Sequence, residues 1–104
     1  MSDVILRKIK RAMLGGRFAF SEKADVEMVA DNITDMDVVE AILNAPAIYK
    51  TIRSHSRSRL RDAEKLYIII GMTLDGLPIY TKGKFVTHGG IETYYFLISS
   101  KRAD

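Results

Sequence analysis

Residues 48 to 61 read IYKTIRSHSRSRLR, a run with five lysines and arginines (Lys50, Arg53, Arg57, Arg59 and Arg61), one histidine (His55) and no acid. Such a run suits a polyanion, because cations neutralise phosphates and displace their counterions. Farther along, Tyr80, Lys82 and Lys84 recur at intervals of two, which puts them on one face of a strand unless Gly83 marks a bulge. Near the end, Thr93, Tyr95, Leu97, Ser99 and Lys101 share one face; Tyr94, Phe96 and Ile98 share the other, which the pattern predicts to be the core side. Each of Lys82, Lys84 and Lys101 alone reads as an ordinary surface lysine. Their coincidence on neighbouring strands beside a basic loop predicts a groove rich in lysine, arginine and tyrosine. Phosphodiesters fit such a groove: cations offset the charge that grows on phosphorus oxygens in the transition state, and phenols stack on bases or transfer protons. RNA can be cleaved there without a metal, because its 2′-hydroxyl supplies the nucleophile and the protein need only orient it, move protons and stabilise charge. Of the two histidines, His88 falls in a turn, and His55 is the better candidate, with phosphate contact its leading role.

Other chemistries find little support. There is no cysteine, hence no disulfide, thiolate zinc site or cysteine nucleophile, and two isolated histidines make no metal cluster. No metal and no cofactor is expected. The GGRFAF and GGIETYY segments lack the strand, glycine loop and helix order of a nucleotide cradle. The N-terminal apolar pattern is too short and too charged for a signal peptide, and no run approaches a membrane span, so the expected compartment is the cytoplasm. Net charge is only +3, but it is sorted: residues 22 to 40 hold seven acids against Lys23, and residues 41 to 61 hold none. The acids read as a solvated helix face, and the basic patch as either a surface loop or a polyanion site.

The elements that must position these side chains follow from hydrophobic period. A chain of 104 residues predicts one domain, residues 1–104. Ile5, Leu6, Ile9, Ala12 and Met13 recur at helical spacing between a Ser2 or Asp3 start and a Gly15-Gly16 stop. After a brief extended RFAF, Ser21 caps a second helix that buries Ala24, Met28 and Val29 and ends near Asn32. Thr34 and Asp37 fit a capping box for a third, with Ile33 placed to meet Val38 as a hydrophobic staple; Asn44-Ala45-Pro46 ends it. Segments 66–73, 77–86 and 91–99 read as strands of an antiparallel meander, turned at Asp75-Gly76 and Gly89-Gly90, with 47–52 beside them as a fourth. The predicted class is α+β, three N-terminal helices packed on a mostly antiparallel four-stranded sheet.

The order of these motifs resembles the MqsR family of toxins. The stretch IKRAMLGGRFAFSEKADVEMVADNITDMDVVEAILNAPAIYKT is similar to that family's opening, Ile79-Tyr80-Thr81-Lys82 to its strand with Tyr and Lys two apart, and Leu97 to Lys101 to its terminal strand. FSEKADVEM with ITDMDVVEAIL also resembles a widespread family of small toxin-like domains that usually has histidine where Lys23 stands. Both belong with the RelE/ParE group. The resemblance implies a RelE-like fold and the toxin of a toxin-antitoxin system, a metal-independent mRNA interferase with mRNA, a cognate antitoxin and, in ribosome-associated members, the ribosome as partners. It implies a catalytic set of Lys50, Tyr80 and Lys101, the lysines on the scissile phosphate and Tyr80 in proton transfer or stacking. Arg53, His55, Arg57, Arg59, Arg61, Lys82 and Lys84 would bind the substrate. The family's WQDVY segment, which contributes a glutamine, has no counterpart before Leu66-Tyr67, where Glu64 and Lys65 stand. Two other readings are a non-catalytic RNA- or protein-binding module of the same fold and a gyrase-inhibiting ParE-type toxin.

Overall fold

The computed structural model describes residues 2–54 and 64–104. Its order is α1 (Ser2–Leu14), β1 (Phe18–Phe20), α2 (Glu22–Asp31), α3 (Asp35–Asn44), β2 (Lys50–Ser54), β3 (Glu64–Met72), β4 (Pro78–His88) and β5 (Ile91–Arg102). The class is α+β with three helices, and their bounds follow local signals. Ser21 Oγ accepts from the Ala24 N–H at the start of α2, and Asn32 closes that helix in the left-handed region. At α3 both capping-box bonds form: the Asp37 N–H donates to Thr34 Oγ1, and the Thr34 N–H donates to Asp37 Oδ2.

The sheet departs from the sequence expectation. It has five strands, not four, it is mixed, and its order is β1-β5-β4-β3-β2. The extra strand is the RFAF segment, which lies between the first two helices and pairs in parallel with β5, Phe18 to Phe20 opposite Tyr95 to Leu97. The Tyr95 N–H donates to the Arg17 carbonyl, and the Ser21 N–H to that of Leu97. A three-residue strand whose partner lies near the other end of the chain gives no alternation to read. The helices therefore do not all precede the sheet.

Helices α1 and α3 cover one face. Gly71 marks the closest approach, since a Cβ there would overlap the Ala41 carbonyl of α3. Leu6, Ile9, Val38 and Ile42 of the helices meet Ile69, Ile79, Tyr95 and Leu97 of the sheet in one core. Two expectations are thereby corrected. Tyr95 and Leu97 are fully buried, whereas Tyr94 is 47% exposed, so the core side of β5 is the opposite of the one its composition suggested. β5 is apolar on both faces, and only the position of the helices decides between them. Val29 is exposed as well, because α2 lies along the sheet's flank and buries only Ala24 and Met28.

That flank explains part of the acidic block. Beyond Leu97, β1 no longer covers the edge of β5, and α2 takes its place. The Ser100 N–H donates to Glu27 Oε1 (3.2 Å) and the Arg102 N–H to Asp31 Oδ2 (2.8 Å). Carboxylates one helical turn apart match strand N–H groups two residues apart, ~6 Å in both elements. The exposed edge is closed to further pairing. At the other end of the sheet the Leu74 N–H donates to Glu40 Oε1, tying the β3–β4 turn to α3.

Candidate functional site

The face of the sheet turned away from α1 and α3 carries four of the sequence-predicted cations, Lys50, Lys82, Lys84 and Lys101. Along β4 the burial alternates: Ile79, Thr81 and Gly83 are buried, while Tyr80, Lys82 and Lys84 are half-buried on the outer side. Gly83 keeps this phase because a Cβ there would stand 2.5 Å from the Tyr95 ring; the tyrosine fills the space a side chain would need.

A bulge sits on the opposite strand. Lys82 faces Ser99 but Gly83 faces Leu97, so Ile98 is an extra residue in β5. The consequence falls on Lys101. Strict alternation puts it on the side of Tyr95, under the helices; the inserted residue reverses the phase, and Lys101 comes to lie directly opposite Tyr80 on the outer face. Its Nζ is 5.4 Å from the centre of the Tyr80 ring, within cation–π range. A carboxylate completes the group. Glu27 Oε2 is 3.9 Å from Lys101 Nζ, while its Oε1 accepts from Ser99 Oγ (2.7 Å) and from the Ser100 N–H. Glu27 is thus held by its first oxygen and offers the second to the lysine.

The predicted residues distribute unevenly over this face. Tyr80 and Lys101 are adjacent, and Lys82 stands one outer-face position farther along β4, ~7 Å away. Lys50 faces Ile68, which in turn faces Lys82, so it lies on the same face two strands from Lys82 and three from Lys101. Three spacings of ~4.8 Å and the two residues from Ser99 to Lys101 put the two lysine backbones ~16 Å apart, so both side chains would have to stretch toward each other to share one phosphate. Lys84 is paired with Glu64 at 3.1 Å. Arg53, three residues from Lys50 and opposite Lys65, is turned by alternation toward the helix side. His55, Arg57, Arg59 and Arg61 lie outside the described residues.

Sequence reasoning missed Glu27, which it placed among solvated acids. The available signal was its position three residues after Ala24 and one before Met28, on the flank of the buried stripe of α2. It also missed Tyr94 and Phe96, assigned to the core and found on the outer side opposite Val86 and Lys84.

A cleft of about 520 Å³ opens between α1 and the ends of β3 and β4, lined by Ile5, Lys8, Lys65, Tyr67 and Phe85 and bordered also by Glu64 and Lys84. Lys8 lies over the Phe85 ring at 4.6 Å. Tyr80 and Lys101 are not among its lining residues. Among the described residues no group of three His, Asp or Glu side chains converges as metal ligands would, and no helix is long and apolar enough to cross a membrane. No family model matches the chain, and comparisons with curated proteins and with solved structures find no match either.

Proposed function

We propose that the chain is the toxin of a toxin-antitoxin pair, a RelE-like endoribonuclease that cleaves mRNA without a metal and is held in check by a cognate antitoxin. The observation that carries this reading is the group at the bulge, an exposed lysine against a tyrosine ring with a tethered carboxylate beside it. These are the parts that RNA transesterification requires. In the proposed reaction the 2′-oxygen attacks the adjacent phosphorus and its proton passes to a base, the role proposed for the Glu27 carboxylate beside Lys101. The P–O5′ bond breaks, and the departing 5′-oxygen takes a proton from Tyr80 or Lys101, leaving a 2′,3′-cyclic phosphate and a free 5′-hydroxyl. Lys101 offsets the charge that builds on the non-bridging oxygens. Lys82 and Lys50 serve the flanking phosphates, in keeping with their distances. The cytoplasm, where mRNA and ribosomes are found, is the proposed place of action.

A second reading keeps the fold and drops the chemistry. Lys101 and Lys84 both have carboxylate partners, which suits a non-catalytic module whose cations are already engaged. Each pair has one exposed partner, Glu64 or Lys101, so water screens it and a phosphate can compete for the lysine. Incubation of the purified protein with a defined RNA in EDTA, followed by mapping of the ends, decides between the two. Cyclic phosphate ends that vanish with Lys101→Ala support the nuclease; RNA left intact both alone and with ribosomes present favours the binding module. Accumulation of cleaved DNA–gyrase complexes on expression would instead indicate a ParE-type activity.

A further inference from the structure

The outer face holds more than the bulge group uses. On β5, Tyr94 and Phe96 are two residues apart, ~6.6 Å along the strand, and point to the same side. Beside them on β4 stand Val86 and Lys84, followed by Lys82 and Tyr80. Rings on the helix side pack against one another, Tyr67 on Phe85 and Phe85 on Tyr95. Among the described residues Tyr94 and Phe96 enter no such ring pair, and Tyr94 is 47% exposed. The face therefore has two columns: cations along β4 and unpaired rings along β5, converging on Tyr80 and Lys101.

We infer that Tyr94 and Phe96 form a base-stacking platform for single-stranded RNA, with the phosphate backbone running over Lys84 and Lys82 toward the bulge group. Successive bases need flat apolar surfaces at regular intervals, and successive phosphates need cations alongside; the two columns supply both. From Val86 to Tyr80 is six residues of β4, ~20 Å, room for about four nucleotides. Charge complementarity selects the occupant, since the face offers Lys50, Lys82, Lys84 and Lys101 against Glu27 and Glu64. A duplex hides its bases from the rings and would gain only the electrostatic part. The inference deepens the ribonuclease reading and rests on it for the choice of RNA.

The test separates binding from cleavage by using 2′-O-methyl oligonucleotides, which lack the nucleophile. Fluorescence anisotropy is measured for labelled strands of two, four and eight nucleotides and for a hairpin duplex, across a salt series. Affinity is expected to rise up to about four nucleotides and to exceed that for the duplex. Tyr94→Ala and Phe96→Leu should each weaken single-strand binding about 5- to 150-fold, Tyr94→Phe should bind like the wild type, and the salt slope should not change. Lys82→Ala should lower that slope by about 0.7. Circular dichroism confirms folding of each variant, and Phe96→Leu keeps the apolar volume that Phe96→Ala would remove. Wild-type affinity in both Tyr94→Ala and Phe96→Leu, equal binding of duplex, or no binding of any oligonucleotide, as for a face built for an acidic protein, overturns the platform. If unmodified RNA is still cleaved while the ring variants bind normally, the platform falls and the nuclease stands. If the ring variants lose binding yet the wild type leaves unmodified RNA intact both alone and with ribosomes present, the platform stands and the nuclease falls.

Discussion

Lys101 and Tyr80 face each other across the β4–β5 ladder because one extra residue, Ile98, reverses the phase of β5 before its last turn of alternation. Removing that residue would return Lys101 to the helix side. Deletion of Ile98 is therefore expected to abolish RNA cleavage as Lys101→Ala does, and to expose the register change as altered hydrogen exchange at Ser99 to Arg102.

Within the pair the roles separate by magnitude. Lys101→Ala should lower the cleavage rate by about 10²–10³, the usual effect of removing one group that stabilises transition-state charge. Tyr80→Phe keeps the ring and loses only the hydroxyl. A drop of about 10²–10⁴ in kcat for Tyr80→Phe marks proton transfer; an unchanged kcat marks stacking alone. Single-turnover kinetics on a defined RNA reads both, and unchanged rates for both variants sink the ribonuclease reading.

Glu27 joins the fold to the site. Its Oε1 serves Ser99 Oγ and the Ser100 N–H, and its Oε2 faces Lys101. Glu27→Ala strips an acceptor from both donors and should cost about 1–3 kcal/mol. Glu27→Gln retains an acceptor and should cost less than half of that, measured by urea unfolding of the two variants. Equal losses would mean that the charge on Glu27, not its hydrogen bonds, holds the strand edge.

What was legible in the sequence is what local chemistry decides. Ser21, Thr34 with Asp37, and Asn44-Ala45-Pro46 gave the helix ends because their partners lie within a few residues. The β3–β4–β5 meander was legible from strand composition and glycine turns. Three features were not, and each depends on distant backbone. The partner of β1 is near the far end of the chain, the faces of β5 are decided by where α1 and α3 rest, and the carboxylates of Glu27, Asp31 and Glu40 accept from backbone N–H groups more than thirty residues away. Of the proposed catalytic set, Tyr80 and Lys101 were found by resemblance and are neighbours here. Lys50 shares their face at a distance, and Glu27, though inside the FSEKADVEM stretch, had no role assigned to it.

Gly71 carries the packing of α3 on β3. A methyl group there would overlap the Ala41 carbonyl, and helix backbone cannot yield as a flexible side chain would. Gly71→Ala should destabilise the protein by at least the 1–3 kcal/mol typical of overpacking. For a chain of this size each kcal/mol lowers Tm by about 4–8 °C. A melting temperature within 2 °C of wild type would contradict the close approach of the two backbones.

Tyr95 makes a stability prediction with a definite sign. It is fully buried between Phe85 and the space left by Gly83, and its hydroxyl has no hydrogen-bond partner among the described residues. Burial raises its phenol pKa well above the ordinary tyrosine value, and Tyr67 adds to the effect. Because the folded pKa is raised, the folded state keeps this proton when the unfolded chain releases it. Stability is thus unaffected below the unfolded pKa near 10 and falls above it by about 1.4 kcal/mol per pH unit until the folded pKa is reached. Tyr95→Phe removes both the orphaned hydroxyl and this dependence. At neutral pH the variant should be as stable as wild type or more stable by about 1–3 kcal/mol, since an unsatisfied buried donor is lost. In wild type the tyrosinate absorbance of Tyr95, obtained by difference from Tyr95→Phe, should emerge only together with alkaline unfolding. If it emerges near pH 10 with the fold intact, water reaches that hydroxyl and the core is open at this point. If instead Tyr95→Phe is clearly less stable at neutral pH, the hydroxyl has a partner in solution and the ring does not sit against Gly83 with its oxygen unsatisfied.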